Sequence, residues 1–142
     1  MPNRVKYRFV TTADPVTLRG IITLYRAHGW WDPADTPALL KRIIKGSHCF
    51  VIAERGGAVI GMARAISDGA SDAYIQDVAV QPSQRGGGIG RALVRRLLGR
   101  LRRDKVRWTG LIAQDNSSPF YAGLGFKPLA KALPMLSKGS HV

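Results

Sequence analysis

The residues best suited to chemistry stand in one run: Asp77-Val78-Ala79-Val80-Gln81-Pro82-Ser83-Gln84-Arg85-Gly86-Gly87-Gly88-Ile89-Gly90-Arg91. The apolar first part reads as the end of a strand, the glycines as a turn, and Ile89 onward as the amino terminus of a helix. The opening amides of a helix lack intrahelical acceptors, and the macrodipole adds roughly half a positive charge there. Glycines remove the side chains that would hold an anion off those amides. Such a turn binds phosphate. A turn that merely reverses the chain has no use for three successive glycines, which cost backbone entropy.

Two phosphate-binding loops are excluded by the residues themselves. A Walker A loop needs Lys-Ser/Thr after its last glycine, where this chain has Arg91-Ala92. The dinucleotide fingerprint needs a third glycine where Arg91 or Leu93 stands, and an acid about 20 residues on that is missing here.

The elements that position this turn emerge from periodicity. Val5–Val10 reads as an opening strand. Asp14-Pro15 starts a helix through Leu18, Ile21, Ile22 and Tyr25 that Gly29 ends, and Asp35-Thr36-Pro37 starts a second one that Gly46 stops. The period then switches to two: a strand Cys49–Glu54, a turn at Arg55-Gly56-Gly57, a strand Ala58–Ile66, turn chemistry over 67–72, and a third strand Ala73–Val80. The longest helix, 88–104, carries Ile89, Leu93, Leu97 and Leu101 on one face. Val106–Ala113 reads as a strand, Ser118-Pro119 opens a short helix, and Phe126 onward reads as a last strand. The order is β-α-α-β-β-β-α-β-α-β, an α/β (α+β) class with a mixed, mostly antiparallel central sheet flanked by helices. Residues 1–136 read as a single domain and 137–142 as a flexible end.

The run Arg85-Gly86-Gly87-Gly88-Ile89-Gly90 matches R/Q-x-x-G-x-G/A directly after a strand, and Phe120-Tyr121-Ala122-Gly123-Leu124-Gly125-Phe126 comes some thirty residues later. Together these resemble the acetyl-CoA-binding core of the GCN5-related N-acetyltransferases (GNAT family). The matched motifs cover residues 73–127, and Ala63–Gly69 with Ile75–Val78 look most like small stand-alone bacterial members.

The resemblance implies an enzyme that moves the acetyl group of acetyl-CoA to a primary amine by direct attack in a ternary complex. Pantetheine would pair with the backbone of Val78, Ala79 and Val80 as an added strand does. The amides of Gly86, Gly87, Gly88, Ile89, Gly90 and Arg91 would hold the diphosphate, and Arg85 is counted among the cofactor-binding residues. Tyr121 falls where relatives protonate the departing thiolate, work that a phenol of pKa about 10 suits. Many relatives carry a glutamate where this chain has Tyr74, and some have Glu-Asp where it has Gln76-Asp77. Asp77 is therefore the candidate general base, acting through water, or an acid that orients the acceptor or the structure; for an amine that enters as a free base, water alone is the alternative proton acceptor. Relatives place a cofactor-binding Asn seven residues before the tyrosine. Gln114 stands there and Asn116 two residues later, either to touch the cofactor or to enter the helix turn. Trp30 and Trp31 offer aromatic faces to an amine, or a lid over the core. Asp68, Tyr74 and Gln76 complete the expected acceptor side.

The chain has 142 residues and a net charge of +13, with 45% hydrophobic residues. This profile excludes collagen-like, mucin-like and acidic-tail proteins. Residues 85–107 carry nine Arg and Lys against the single Asp104, so most of the excess lies on the glycine turn and its helix. A basic nucleic-acid-binding module is the competing class, disfavoured because no aromatics interleave these arginines and no helix-turn-helix or zinc-finger spacing appears. The lone Cys49, in an apolar run, can form no internal disulfide and reads as a small buried hydrophobe. His28 and His48 lack metal-ligand company, so no metal is expected. No membrane segment or export signal is read, and the expected setting is the cytoplasm. The expected partners are a small-molecule amine and a second copy in a homodimer. A protein or peptide amine is the alternative acceptor.

Overall fold

A computed structural model of the chain describes residues 4–140. Asp14 caps the first helix as its sequence position demands: its carboxylate accepts from the Thr17 amide at 2.7 Å, and Pro15 fills the first helical position. That helix, α1, spans Pro15–Ala27 and buries Leu18, Ile21, Ile22, Leu24 and Tyr25. The second, α2, spans Pro37–Gly46 and buries Leu40 and Ile44. Before them runs β1 (Val5–Phe9), and after them β2 (Cys49–Arg55), β3 (Ala58–Ser67) and β4 (Asp72–Val80). A single 3-10 turn, Pro82–Gln84, leads to α3 (Ile89–Arg103), which β5 (Trp108–Gly110) and α4 (Ser118–Ala122) succeed.

The five strands form one sheet in chain order, antiparallel throughout except for the parallel pair β4–β5. Both faces are covered. On one, α1 and α2 close over Val10, Phe50, Ile52, Met62 and Ala79. On the other lies α3, whose buried residues are Ile89, Leu93, Val94, Leu97 and Leu101. Gly61 lets that helix approach, since a Cβ there would stand 3.0 Å from Leu93 Cδ1 and 3.1 Å from Ile89 Cγ2. The mixed, mostly antiparallel sheet between helices is the architecture that the periodicity implied. No helix among the described residues is long and apolar enough to cross a membrane.

Two local expectations fail. The strand read over Val106–Ala113 shrinks to Trp108–Gly110, and the last strand expected from Phe126 does not form among the described residues. Pro128 and Pro134 interrupt that stretch, and proline has no amide to give a ladder. Leu129, Leu133, Met135 and Leu136 are accordingly exposed by 67–86%. By its contacts the chain divides after Leu111 into two compact units. Residues 141–142 of the expected flexible end lie outside the described residues.

Candidate active site

In the first unit, the end of β4 presents bare backbone. β5 pairs with β4 only at Asp72, Ala73 and Tyr74, so from Ile75 onward β5 leaves the outer edge of β4 uncovered. The Gln81 amide bonds Ile60 O at 2.8 Å, toward β3. Because backbone groups alternate along a strand, the Ala79 amide shares that direction and those of Val78 and Val80 face the open edge.

At the end of this edge comes the glycine turn. Gly86 and Gly88 take φ of +85° and +81°, conformations that side-chain-bearing residues rarely adopt. Gly88 is the N-cap of α3 and offers no side-chain cap, and the first turn holds no acid. The amides of Ile89 and Gly90 are thus left for an outside acceptor. Gly87 is more telling. Its φ is ordinary and a Cβ built on it meets nothing within 4 Å. Neither packing nor backbone conformation calls for glycine at 87, whereas an anion lying against these amides does. The turn is tied to α1 through Arg85, whose Nη2 lies 3.0 Å from His28 Nε2. His28 Nδ1 lies 3.0 Å from Leu24 O and donates to it, which leaves Nε2 as the acceptor for the arginine.

Upstream of this edge β4 is bulged. Gln76 pairs with Arg64 and Ala79 with Met62, so Asp77 and Val78 together oppose Ala63. Asp77 has φ +56°, in the left-handed region, which costs an L-residue about 1–2 kcal/mol. Its Oδ2 accepts from Arg64 Nε at 2.6 Å and from the Tyr25 hydroxyl at 2.8 Å. Arg64 also reaches Gln76 Oε1 at 3.0 Å through Nη2 and Ser47 Oγ at 3.4 Å through Nη1. Tyr25 is 4% exposed. Burial, then the Asp77 charge, pushes its phenol far above the ordinary value, so it remains a donor.

Sequence reasoning missed Tyr25 and Arg64. Tyr25 counted as one more apolar position on a helix face, and only the paired carboxylate 52 residues away marks it as polar machinery. Around Tyr25 stand Trp30, edge-on at 6.4 Å between ring centroids, and Trp31 at 5.8 Å. Trp30 is 43% exposed, whereas Trp31 packs against the core. The structure thus gathers Trp30, Trp31 and Asp77 about one tyrosine, with Gln76 joined to Asp77 through Arg64.

Asp68 lies elsewhere, in the β3–β4 turn at the far end of β4 from the glycines. Asp72 and Val80 are eight steps apart along the strand, roughly 25 Å. There Asp68 accepts from the Ala70 and Ser71 amides at 2.8 Å each and from Ser71 Oγ at 2.6 Å, bonds that hold its carboxyl well below the usual range. Tyr74, paired with Ile66, stands between the two ends, and burial raises its phenol.

Part of the basic run has structural work. Arg96 stacks 4.5 Å above the Tyr7 ring and Arg100 5.2 Å from that of Phe9, while Arg100 also pairs with Asp104 at 3.0 Å. Asp104 in turn holds His48 Nε2 at 2.8 Å. Cys49 is buried, and desolvation pushes its thiol up to about 11. It is therefore a neutral thiol at physiological pH.

The second unit contains Tyr121 on α4. Its ring meets Phe120 at 4.9 Å and Phe126 at 5.8 Å, both edge-on, and burial raises its phenol. The Phe126 amide closes back on Tyr121 O at 3.1 Å. Asn116 is exposed and left-handed, with φ +61°, and Ser117 N bonds Gln114 O at 3.0 Å. The Gln114–Ser117 stretch is thus the turn entering α4.

Comparison with known proteins bears on what this arrangement does. Residues 18–126 match the model of the "Acetyltransferase (GNAT) family". A soybean (Glycine max) protein called histone acetyltransferase TAP1 is 42% identical over 69 residues, 49% of this chain and 30% of that one. Serotonin N-acetyltransferase 2, chloroplastic, of rice (Oryza sativa subsp. japonica) is 41% identical over 70 residues, 49% of this chain and 35% of that one. The chain thus spans about a third of the length of these curated relatives. Among solved structures, the GNAT family protein SP0256 of Streptococcus pneumoniae TIGR4 superposes with a TM-score of 0.78, at 25% identity over 97% of this chain and 100% of that one.

Proposed function

Since the chain belongs to the GNAT acetyltransferase family, we propose that it transfers the acetyl group of acetyl-CoA to a primary amine by direct attack within a ternary complex. The observation that carries this reading is the bare outer edge of β4 running into the uncapped start of α3. The Val78 and Val80 amides hold the thioester carbonyl and the pantetheine arm, and act as oxyanion donors as the attacked carbon becomes tetrahedral. The amides of the Gly86–Gly90 turn hold the diphosphate. Acetyl-CoA supplies the activated acyl group. The amine's nitrogen forms the new bond to that carbon and gives up its extra proton to water, the carbon–sulfur bond breaks, and the sulfur leaves as a thiolate.

Tyr121 is the acid in this reading. Burial keeps its proton in place at rest, and the thiolate is the base that takes it. An acyl-enzyme on Cys49 is disfavoured by its buried, protonated thiol. The acceptor is a small aliphatic or aryl amine, supported by the half-exposed Trp30 face and by serotonin, an alkylamine that carries an aromatic ring, in the rice relative's name. A protein amine is the second reading, favoured by the histone in the soybean relative's name. The free Cys49 goes with a reducing setting, the cytoplasm.

Thiol release from acetyl-CoA, measured across a panel of arylalkyl amines, polyamines and histone peptides, tests the reading. We expect saturable release with at least one arylalkyl amine. Release with none of the panel, or calorimetry without heat on adding coenzyme A, rejects it.

A further inference from the structure

We infer that Asp77 is a positioning residue, latched by Arg64 and Tyr25 so that it holds the β4 bulge which turns the Val78 and Val80 amides to the open edge. The inference rests on the acetyltransferase reading and assigns Asp77 within it.

Successive residues of an unbroken strand point to opposite faces, so Gln76 and Asp77 would face apart, and so would Gln76 and Ala79. Neither separation holds here. One guanidinium, that of Arg64, bonds both the Gln76 and the Asp77 side chains. Gln76 pairs with Arg64 and Ala79 with Met62, alternate residues of β3 that share a face, and Met62 and Ala79 both lie in the core beneath α1 and α2. The extra residue sits at Asp77, whose left-handed φ of +56° absorbs the kink.

An aspartate tolerates that conformation better than most residues, but tolerance alone does not select it. The selection comes from two donors on one oxygen: Arg64 Nε from β3 at 2.6 Å and the Tyr25 hydroxyl from α1 at 2.8 Å. The two donors approach from different elements, so the carboxylate is fixed in position as well as in direction. Ser47 steadies the far side of the guanidinium at 3.4 Å.

The consequence reaches the cofactor edge. Removing the bulge shifts the residues after it by one, and a shift of one exchanges the two edges of a strand. The outward amide would then be that of Ala79, and those of Val78 and Val80 would turn toward β3. Asp77 thus decides which backbone donors meet the thioester without itself touching it.

The test compares Asp77→Asn, Asp77→Gly and Arg64→Met. Asparagine keeps a carbonyl acceptor and tolerates positive φ, whereas glycine keeps only the backbone freedom. We expect Asp77→Gly and Arg64→Met each to weaken coenzyme A binding in calorimetry by about tenfold, the worth of one hydrogen bond to a charged group. The double variant should be no weaker than either single one, because both break one latch. Asp77→Asn should restore most of the binding and turnover and leave the acid limb of the pH–rate profile in place. Amide hydrogen exchange at Ala79 should quicken in Asp77→Gly and Arg64→Met and stay slow in Asp77→Asn. An Asp77→Asn protein that binds coenzyme A normally yet has lost turnover and the acid limb would overturn the inference and make Asp77 the base. Unchanged exchange at Ala79 in the glycine variant would overturn it as well. If the wild-type protein binds no coenzyme A, the acetyltransferase reading fails instead, and exchange alone decides whether the latch holds the bulge.

Discussion

The two halves of the β4 edge are built on opposite plans. At the bulge the side chains hold one another: Asp77, Gln76, Arg64, Ser47 and Tyr25 form one hydrogen-bonded set, most of it shielded from water. Fewer than ten residues later, the glycine turn has no side chains at 86, 87 or 88 and no cap on α3. The first region uses side chains to fix a shape, and the second omits them to leave amides open. A binding site made of backbone needs both, since bare amides recognise nothing unless something else holds them in place.

The largest test of this contrast is Gly88→Val. A β-branched residue at φ +81° is strained by about 1–3 kcal/mol and also covers the α3 amides. Calorimetry should then show coenzyme A affinity falling by about a hundredfold or more, with a lower melting temperature, as expected where strain and lost anion contacts combine. Tyr121→Phe asks whether chemistry separates from binding. Turnover should drop by about a hundredfold, the low end of what a positioned acid supplies, with coenzyme A affinity unchanged. Equal loss in both quantities would make Tyr121 a packing residue.

Tyr25→Phe probes the saturated region. It leaves the Asp77 carboxylate short of one donor, and chemical denaturation should show a loss of about 1.5–3 kcal/mol. It also predicts a pH signature. The phenol's folded value lies above its unfolded value of about 10, so its contribution is complete below pH 10 and declines as pH rises further. Wild-type stability should fall more steeply than that of Tyr25→Phe above that point, by up to about 1.4 kcal/mol per pH unit. Parallel curves would show that the phenol is not held as described.

Gly87→Ala is the smallest change and the sharpest. Nothing in the protein stands within 4 Å of the added methyl, and the backbone there is unstrained. Stability should hold or rise by about 0.4–1 kcal/mol through the unfolded chain. Coenzyme A affinity should nevertheless drop by about tenfold if the amides are the anion site. A variant with unaltered affinity would remove the glycine turn from the binding surface.

Much of this was legible in the residues. The capped start of α1, the strand–glycine–helix order and the apolar face of α3 are local facts, each set within a few turns of chain. The edge amides of Val78 and Val80 were named only through the family resemblance. What escaped was the company of Asp77. Strand parity places it opposite Gln76 unless a bulge intervenes, as the resemblance implies, and the structure adds the one arginine that holds both. The acceptor side was also blurred: Asp68 reads like a site acid, yet its carboxylate builds its own turn.

The sequence by itself determined an α/β chain with a strand–glycine–helix turn after its fourth strand, because glycine content and helix starts act over a handful of residues. Tertiary structure alone decided the latch, since Tyr25, Arg64 and Asp77 come from three elements and meet only when α1 packs on the sheet. Residue patterns report which face of an element is apolar; which polar group finds which partner depends on register, and register is settled only when the strands pair.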